Sequence, residues 1–199
     1  MFDLHNIFQV PVYQSRYHDA FDLEKGIVSK FKDIENQNKH NNSSYYPSNS
    51  YTSFGSYNIL DILELKNLKE FIFNTVSKIH ESAGLGGELE FTNSWFSINR
   101  KNSYHESHTH IPDVWSGVYY VSATPADAAI VFVNRNLKET MWPYKAPKIQ
   151  NTNFNSSQVT CSVETGLLIV FPSYLEHKVN QQLLDSERIT IAFNLNVKL

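Results

Sequence analysis

The run His105-Glu106-Ser107-His108-Thr109-His110 gathers three of the chain's eight histidines into six consecutive positions. In an extended strand the side chains alternate between faces, so His108 and His110 point the same way. Two imidazoles on one face of a strand, joined by a third from another strand, make an open metal site on a β scaffold. A solitary histidine at a strand end is often a surface residue. The cluster gains weight from residues far downstream. His177 follows Phe171-Pro172-Ser173-Tyr174-Leu175-Glu176, just past an apolar run, and Arg188 comes eleven residues after it.

The segment that begins at Arg188 alternates cleanly. Ile189, Ile191, Phe193 and Leu195 share one face; Arg188, Thr190, Ala192 and Asn194 share the other. A guanidinium on the inner face of an otherwise apolar strand needs an anionic partner, because an uncompensated buried charge is very costly. A bound anion satisfies it, and so does an Asp or Glu of the chain. Arginine grips a carboxylate through a bidentate pair that lysine does not reproduce, and the Thr190 hydroxyl adds a hydrogen bond. With His177 upstream, the reading is a metal with a chelating diacid beside it. Fe(II) suits imidazole ligands, and three protein ligands leave three octahedral positions open.

The flanking sequence supplies the scaffold. Residues 89–100, 116–121, 129–133 and 167–171 read as short strands rich in aromatic and β-branched residues. Strands at such intervals indicate a sandwich or barrel. Leu65, Leu68, Phe71, Ile72, Val76, Ile79 and Ala83 form a helical stripe over residues 64–83 that packs on a sheet, and Gly84, Gly86 and Gly87 end it. A first helix is expected to open at Asp22 as N-cap, with Ile27, Phe31 and Ile34 as its apolar stripe. Residues 7–14 read as an edge strand, since Pro11 has no N–H for a ladder. Residues 36–44 read as a solvated connector, or as a lid ordered by substrate. Residues 139–158 read as a long inserted loop.

Composition sets the outer limits. The chain has 199 residues, 41% apolar and 14% aromatic, which fits one globular domain. A formal charge of -3 without a Lys/Arg run argues against sequence-specific nucleic-acid binding. The lone cysteine, Cys161, forms no internal disulfide, and is expected to be a small buried residue. The N-terminus lacks the pattern of a signal peptide, and the apolar runs are far too short to span a membrane. A reducing cytoplasm is the expected location, and exposed edge strands suggest a homodimer.

Five blocks carry a resemblance. They are Trp95 to Asn99, His108-Thr109-His110, Ser116 to Val121, Gly166 to His177 and Arg188 to Asn194. In this order they resemble the 2-oxoglutarate- and Fe(II)-dependent oxygenase superfamily, over about residues 50–199. Within it the likeness is to the small putative oxygenases of marine bacteria and phages. The resemblance implies a mainly β fold with flanking helices: a double-stranded β-helix, or cupin-like jelly roll. Residues 1–87 would give strand and helical support and residues 88–199 the core. It implies Fe(II) and 2-oxoglutarate, with His108 and His177 as metal ligands and Arg188 and Thr190 on the cosubstrate's distal carboxylate. His110 stands where the superfamily more often has Asp or Glu. Glu106 is a rival third ligand, sharing a period-two face with both histidines, and Asp113 a weaker one beyond Pro112; His110 is preferred. The implied reaction decarboxylates 2-oxoglutarate to succinate and hydroxylates a small molecule or a protein side chain. The work would be done in the cytoplasm, or the host's cytoplasm for a phage protein. Two rivals stand beside it: a three-histidine dioxygenase that uses no 2-oxoglutarate, and a non-catalytic cupin-like binding protein. Trp95, Tyr119 and Tyr120 are expected in the core or lining the cosubstrate pocket. Asn134 and Arg135 are expected in a turn, and His5, His18, His40 and His80 on the surface.

Overall fold

Apolar residues on both faces of the runs at 116–121 and 167–171 require a sheet that is covered on both sides. The computed structural model, which describes residues 9–38, 49–134, 149–150, 152 and 155–198, builds that sheet. In chain order the elements are β1 (Tyr13–Arg16), α1 (Ala20–Gln37), β2 (Ser50–Thr52), α2 (Lys66–Ser82), β3 (Leu89–Asn99), β4 (His105–His108), β5 (Trp115–Ser122), β6 (Ile130–Val133), β7 (Gln158–Thr160), β8 (Leu167–Pro172), β9 (His177–Val179) and β10 (Arg188–Val197). A six-stranded sheet runs β1-β8-β5-β10-β3-β2, and a four-stranded sheet runs β4-β9-β6-β7. Every pairing is antiparallel. This is the jelly roll, with helices on one side.

Two cores follow from strand alternation. Ile189, Ile191, Phe193 and Leu195 of β10 face the helices, where Phe31 of α1 and Leu68, Ile72 and Val76 of α2 bury against them. Phe31 stacks on Phe96 of β3 at a centroid distance of 4.1 Å. The other face of the large sheet meets the small sheet through Tyr120, Ile130, Phe132, Ile169 and Phe171. The run Leu167 to Pro172 is apolar throughout because both of its faces are buried.

Several expectations shift in detail. Residues 1–8 and 39–48 lie outside the described residues, with His5 and His40 among them. Of the strand expected over 7–14, residues 9–12 are not in a strand, and β1 begins at Tyr13, past Pro11. It is an edge strand of the large sheet, with Pro11 just before it. Helix α1 starts at Ala20 with Asp19 at the cap position, and Asp22 falls in its first turn. There the carboxylate still complements the helix dipole. Helix α2 starts at Lys66, after short 3-10 turns at Ile59–Asp61 and Leu63–Leu65. Gly84 takes the left-handed conformation at φ 72, as expected at a helix end. His80 is not a surface residue: it is buried, its Nδ1 accepting from Trp115 Nε1 at 3.0 Å and its Nε2 donating to the Gly86 carbonyl at 3.1 Å. It continues the buried row of Leu68, Ile72 and Val76 at a spacing of four. Cys161 is half-buried rather than fully enclosed. Tyr119 faces the helices, edge-on to Tyr17, and does not line the space between the sheets. Arg135 lies outside the described residues, as do residues 139–148, 151, 153 and 154 of the loop expected over 139–158. Asn134 donates its N–H to the Ser157 carbonyl at 2.8 Å. Among the described residues no helix is long and apolar enough to cross a membrane.

Gly117 of β5 marks the tightest approach in the large sheet. A Cβ there would sit 2.3 Å from Phe193 Cζ and 2.9 Å from the Ile169 carbonyl oxygen. Gly117→Ala is expected to destabilise the protein by about 1–3 kcal/mol through overpacking. Gly86→Ala, where nothing lies within 4 Å, should be near neutral in the same urea unfolding series. Equal midpoints for the two variants would contradict this packing.

Candidate metal centre

Strands β4 and β9 bring the distant histidines together. His108 pairs with His177, and His105 pairs with Val179. Three steps along β4 therefore oppose two steps along β9. The extra residue makes a β-bulge around Glu106 and Ser107, and a bulge breaks period two. Two consequences follow. His105 turns into the same cavity as His108, with ring centroids 4.1 Å apart. Glu106, the rival ligand, is turned out to solvent. Its carbonyl is what serves the site: His108 Nδ1 donates to it at 2.7 Å. Asp113 also stays out of the cluster. Its N–H closes a turn onto the His110 carbonyl at 3.0 Å, and its carboxylate accepts from Thr92 Oγ1 at 2.9 Å.

His110 lies just past β4, its N–H donating to the Ser173 carbonyl at 2.9 Å. One ring nitrogen each of His108, His110 and His177 lies within 4.8 Å of the others. Among the described residues this grouping contains no carboxylate. His177 Nδ1 donates to the Leu175 carbonyl at 2.9 Å, repeating the pattern at His108. Both rings are thereby held in the tautomer that leaves Nε2 as the lone-pair donor. Phe171 packs edge-on against His177 at 4.7 Å, and Trp95 lies 5.9 Å from His110. Neutral, fixed imidazoles with converging nitrogens fit a divalent first-row cation.

Burial is the main reason these rings stay neutral. With the neighbouring His108 and His110 rings it holds His177 at about 3. Burial, then His108, holds His110 at about 4. His105 is held at about 3 by burial, His108, His110 and the Arg188 charge, in that order. Burial also lowers His108, against the raising effect of the Glu106 carbonyl.

Arg188 and Thr190 face the same cavity from β10, on the opposite sheet. Both are buried, at 4% and 6% exposure. The cavity holds about 70 Å³. Arg188 Nη2 donates to Asn99 Oδ1 at 2.9 Å, and Nη1 to the Ala128 carbonyl at 2.9 Å. Both acceptors are uncharged. The Ala128 peptide is itself anchored, its N–H donating to Gln182 Oε1 at 3.2 Å. Asp127 completes this support by accepting from Gln182 Nε2 at 2.5 Å and Ser186 Oγ at 2.6 Å. Tyr120, also on the wall, is pushed up to about 12 by burial, with Arg188 pulling the other way.

His105, Asn99, Asp127 and Gln182 carry no expected role from the sequence alone. Asn99 was legible, because it shares inward parity with Trp95 and Ser97 on β3. His105 was not, because the bulge reverses its parity. Asp127 and Gln182 sit in connecting segments without periodicity.

Comparisons with known proteins give a family and a fold. A model of the family described as "Putative 2OG-Fe(II) oxygenase" matches residues 93–194, just over half of the chain. No curated protein sequence matches. Among solved structures, a Pseudomonas putida prolyl-4-hydroxylase aligns with a TM-score of 0.65 at 13% identity, covering 96% of this chain and 94% of its own. HygX from Streptomyces hygroscopicus, with nickel, 2-oxoglutarate and hygromycin B bound, aligns with a TM-score of 0.65 at 10% identity, covering 96% and 84%. AviO1 from Streptomyces viridochromogenes Tue57 aligns at 0.57 and 13% identity, covering 94% and 90%. At these identities the likeness is one of fold.

The depressed histidines predict an acid-sensitive apoprotein. Their folded pKa values of about 3 to 4 lie below the ordinary 6.5, so the unfolded chain binds more protons as pH falls. Stability of the metal-free protein is expected to be full above pH 6.5 and to drop progressively towards pH 4. Urea midpoints of chelator-treated protein at pH 7.5 and 5.5 test it. A midpoint that rises on acidification would contradict buried neutral imidazoles.

Proposed function

We propose that the protein is a hydroxylase: the chain belongs to the family described as putative 2OG-Fe(II) oxygenases, and it oxidises a C–H bond of a small molecule or a protein side chain. The observation that carries this reading is the convergence of three imidazole nitrogens within 4.8 Å, in the cavity that also holds Arg188. Bound together, Fe(II) and 2-oxoglutarate supply the oxidising chemistry, using dioxygen and releasing succinate and carbon dioxide.

The chain's own residues do the holding. His108 and His177 bind the metal through Nε2, with their Nδ1 protons on backbone carbonyls. His110 is the third ligand. Arg188 and Thr190 grip the distal carboxylate of 2-oxoglutarate. The guanidinium is already fixed by Asn99 and Ala128, so binding costs little further side-chain ordering. Phe171 and Phe132 wall the His177 side against water, which strengthens every charge interaction inside. A donor set without a carboxylate leaves the pocket one unit more positive than the usual two-histidine, one-carboxylate set. That favours a dianionic cosubstrate. The reducing cytoplasm suits both the ferrous ion and the free Cys161 thiol.

The same carboxylate-free donor set favours a second reading, a three-histidine dioxygenase that uses no 2-oxoglutarate. Arg188 separates the two. Under anaerobic conditions Fe(II) and 2-oxoglutarate are expected to give a visible metal-to-ligand charge-transfer band that His177→Ala abolishes. Arg188→Ala should weaken 2-oxoglutarate binding by about 10- to 100-fold, the loss of a hydrogen bond to a charged group. Arg188→Lys should recover only part of it, and metal affinity should be unchanged in both. Succinate formed without iron, or 2-oxoglutarate affinity indifferent to Arg188, would overturn the proposal.

A further inference from the structure

We propose that His105 is a cosubstrate-binding residue, whose imidazole faces Arg188 from the opposite sheet and donates an N–H to the diacid held there. This rests on the oxygenase reading above and extends it to a residue that neither the metal cluster nor the Arg188–Thr190 pair includes.

The bulge in β4 decides where His105 points. A regular β4 would send His105 and His108, three positions apart, to opposite faces. The extra residue on β4, set against the two-step interval from Val179 to His177 on β9, brings both to the same face. Bulges interrupt the ladder and re-aim side chains, and here the re-aimed side chain is His105. It lines the cavity with Arg188, Thr190, His108 and His177. It is not one of the three converging ligands.

Register then places it along the cavity. On the large sheet Arg188 pairs with Asn99, Thr190 with Ser97, and Ala192 with Trp95. On the small sheet His105, Val179 and Ile130 form one row, and His108, His177 and Phe132 the next. Trp95 lies against His110 at 5.9 Å, so the Ala192 end of β10 matches the His110 end of the metal cluster. The Arg188 end therefore matches the His105 row. A diacid that reaches from the metal to Arg188 passes His105. A neutral imidazole carries one N–H in either tautomer, and a carboxylate held by Arg188 and Thr190 has lone pairs to spare. The bland alternative is that His105 merely supports the His108 ring, 4.1 Å away.

Two substitutions separate these roles. His105→Phe keeps an aromatic ring beside His108 but removes the donor; His105→Gln keeps a donor but removes the ring. Binding of 2-oxoglutarate is read from the anaerobic charge-transfer band, and metal affinity from Mn(II) alone. The Kd for 2-oxoglutarate is expected to rise about tenfold in His105→Phe, the loss of one charge-assisted hydrogen bond, and to return most of the way in His105→Gln. Mn(II) affinity is expected to stay constant in both. An unchanged Kd in His105→Phe, no recovery in His105→Gln, or a parallel loss of Mn(II) binding each overturns the assignment. A band missing from the unsubstituted protein sinks the oxygenase reading and this assignment with it. A normal band that ignores His105→Phe sinks this assignment alone.

Discussion

The pairing of His108 with His177 across β4 and β9 is the contact on which the site depends. These strands are four and three residues long, and alone they would not hold a fixed geometry. They do so because β9 also pairs with β6, and because the small sheet lies face to face with the large one. The imidazoles inherit the rigidity of that inter-sheet core. Phe171 links the two directly, since it belongs to the core and also touches the His177 ring.

The large sheet plays the complementary part. It is buried on both faces, with helices outside and the cavity inside. Its central strand β10 carries both duties in one alternating sequence. Ile189 and Ile191 bind it to the helices, while Arg188 and Thr190 point inward. Anchoring and chemistry share a backbone, so the position of the guanidinium is set by packing on the far side of the sheet. The Asn99 and Ala128 contacts then fix its orientation.

Periodicity carries information only where an element is long enough to show a period, and that governs what the sequence disclosed. Arg188 to Leu195 and the stripe from Leu65 to Ile79 could be read directly, and so could the inward face of β10. His108, His110 and His177 were legible as residue types at suggestive spacing. Of the small sheet, β6 and the histidine run of β4 could be read, but β7 and β9 span only three residues each, too few for alternation to mark them. The bulge in β4 is a property of pairing with β9 and leaves no trace in β4 alone. That is why Glu106 looked like a ligand by parity, and why His105 did not look like part of the site. His80 fails for another reason: a buried histidine on a helix resembles an exposed one until its partners, Trp115 and Gly86, are known.

The Nδ1 protons of His108 and His177 both rest on main-chain oxygens, those of Glu106 and Leu175. Where a carboxylate side chain holds a ligand imidazole, a single codon change can release it. Every amino acid brings the same carbonyl. The identities of residues 106 and 175 are thus decoupled from the tautomers they enforce. The chain can drift at these positions, altering charge around the cavity mouth, without disturbing how the rings are presented.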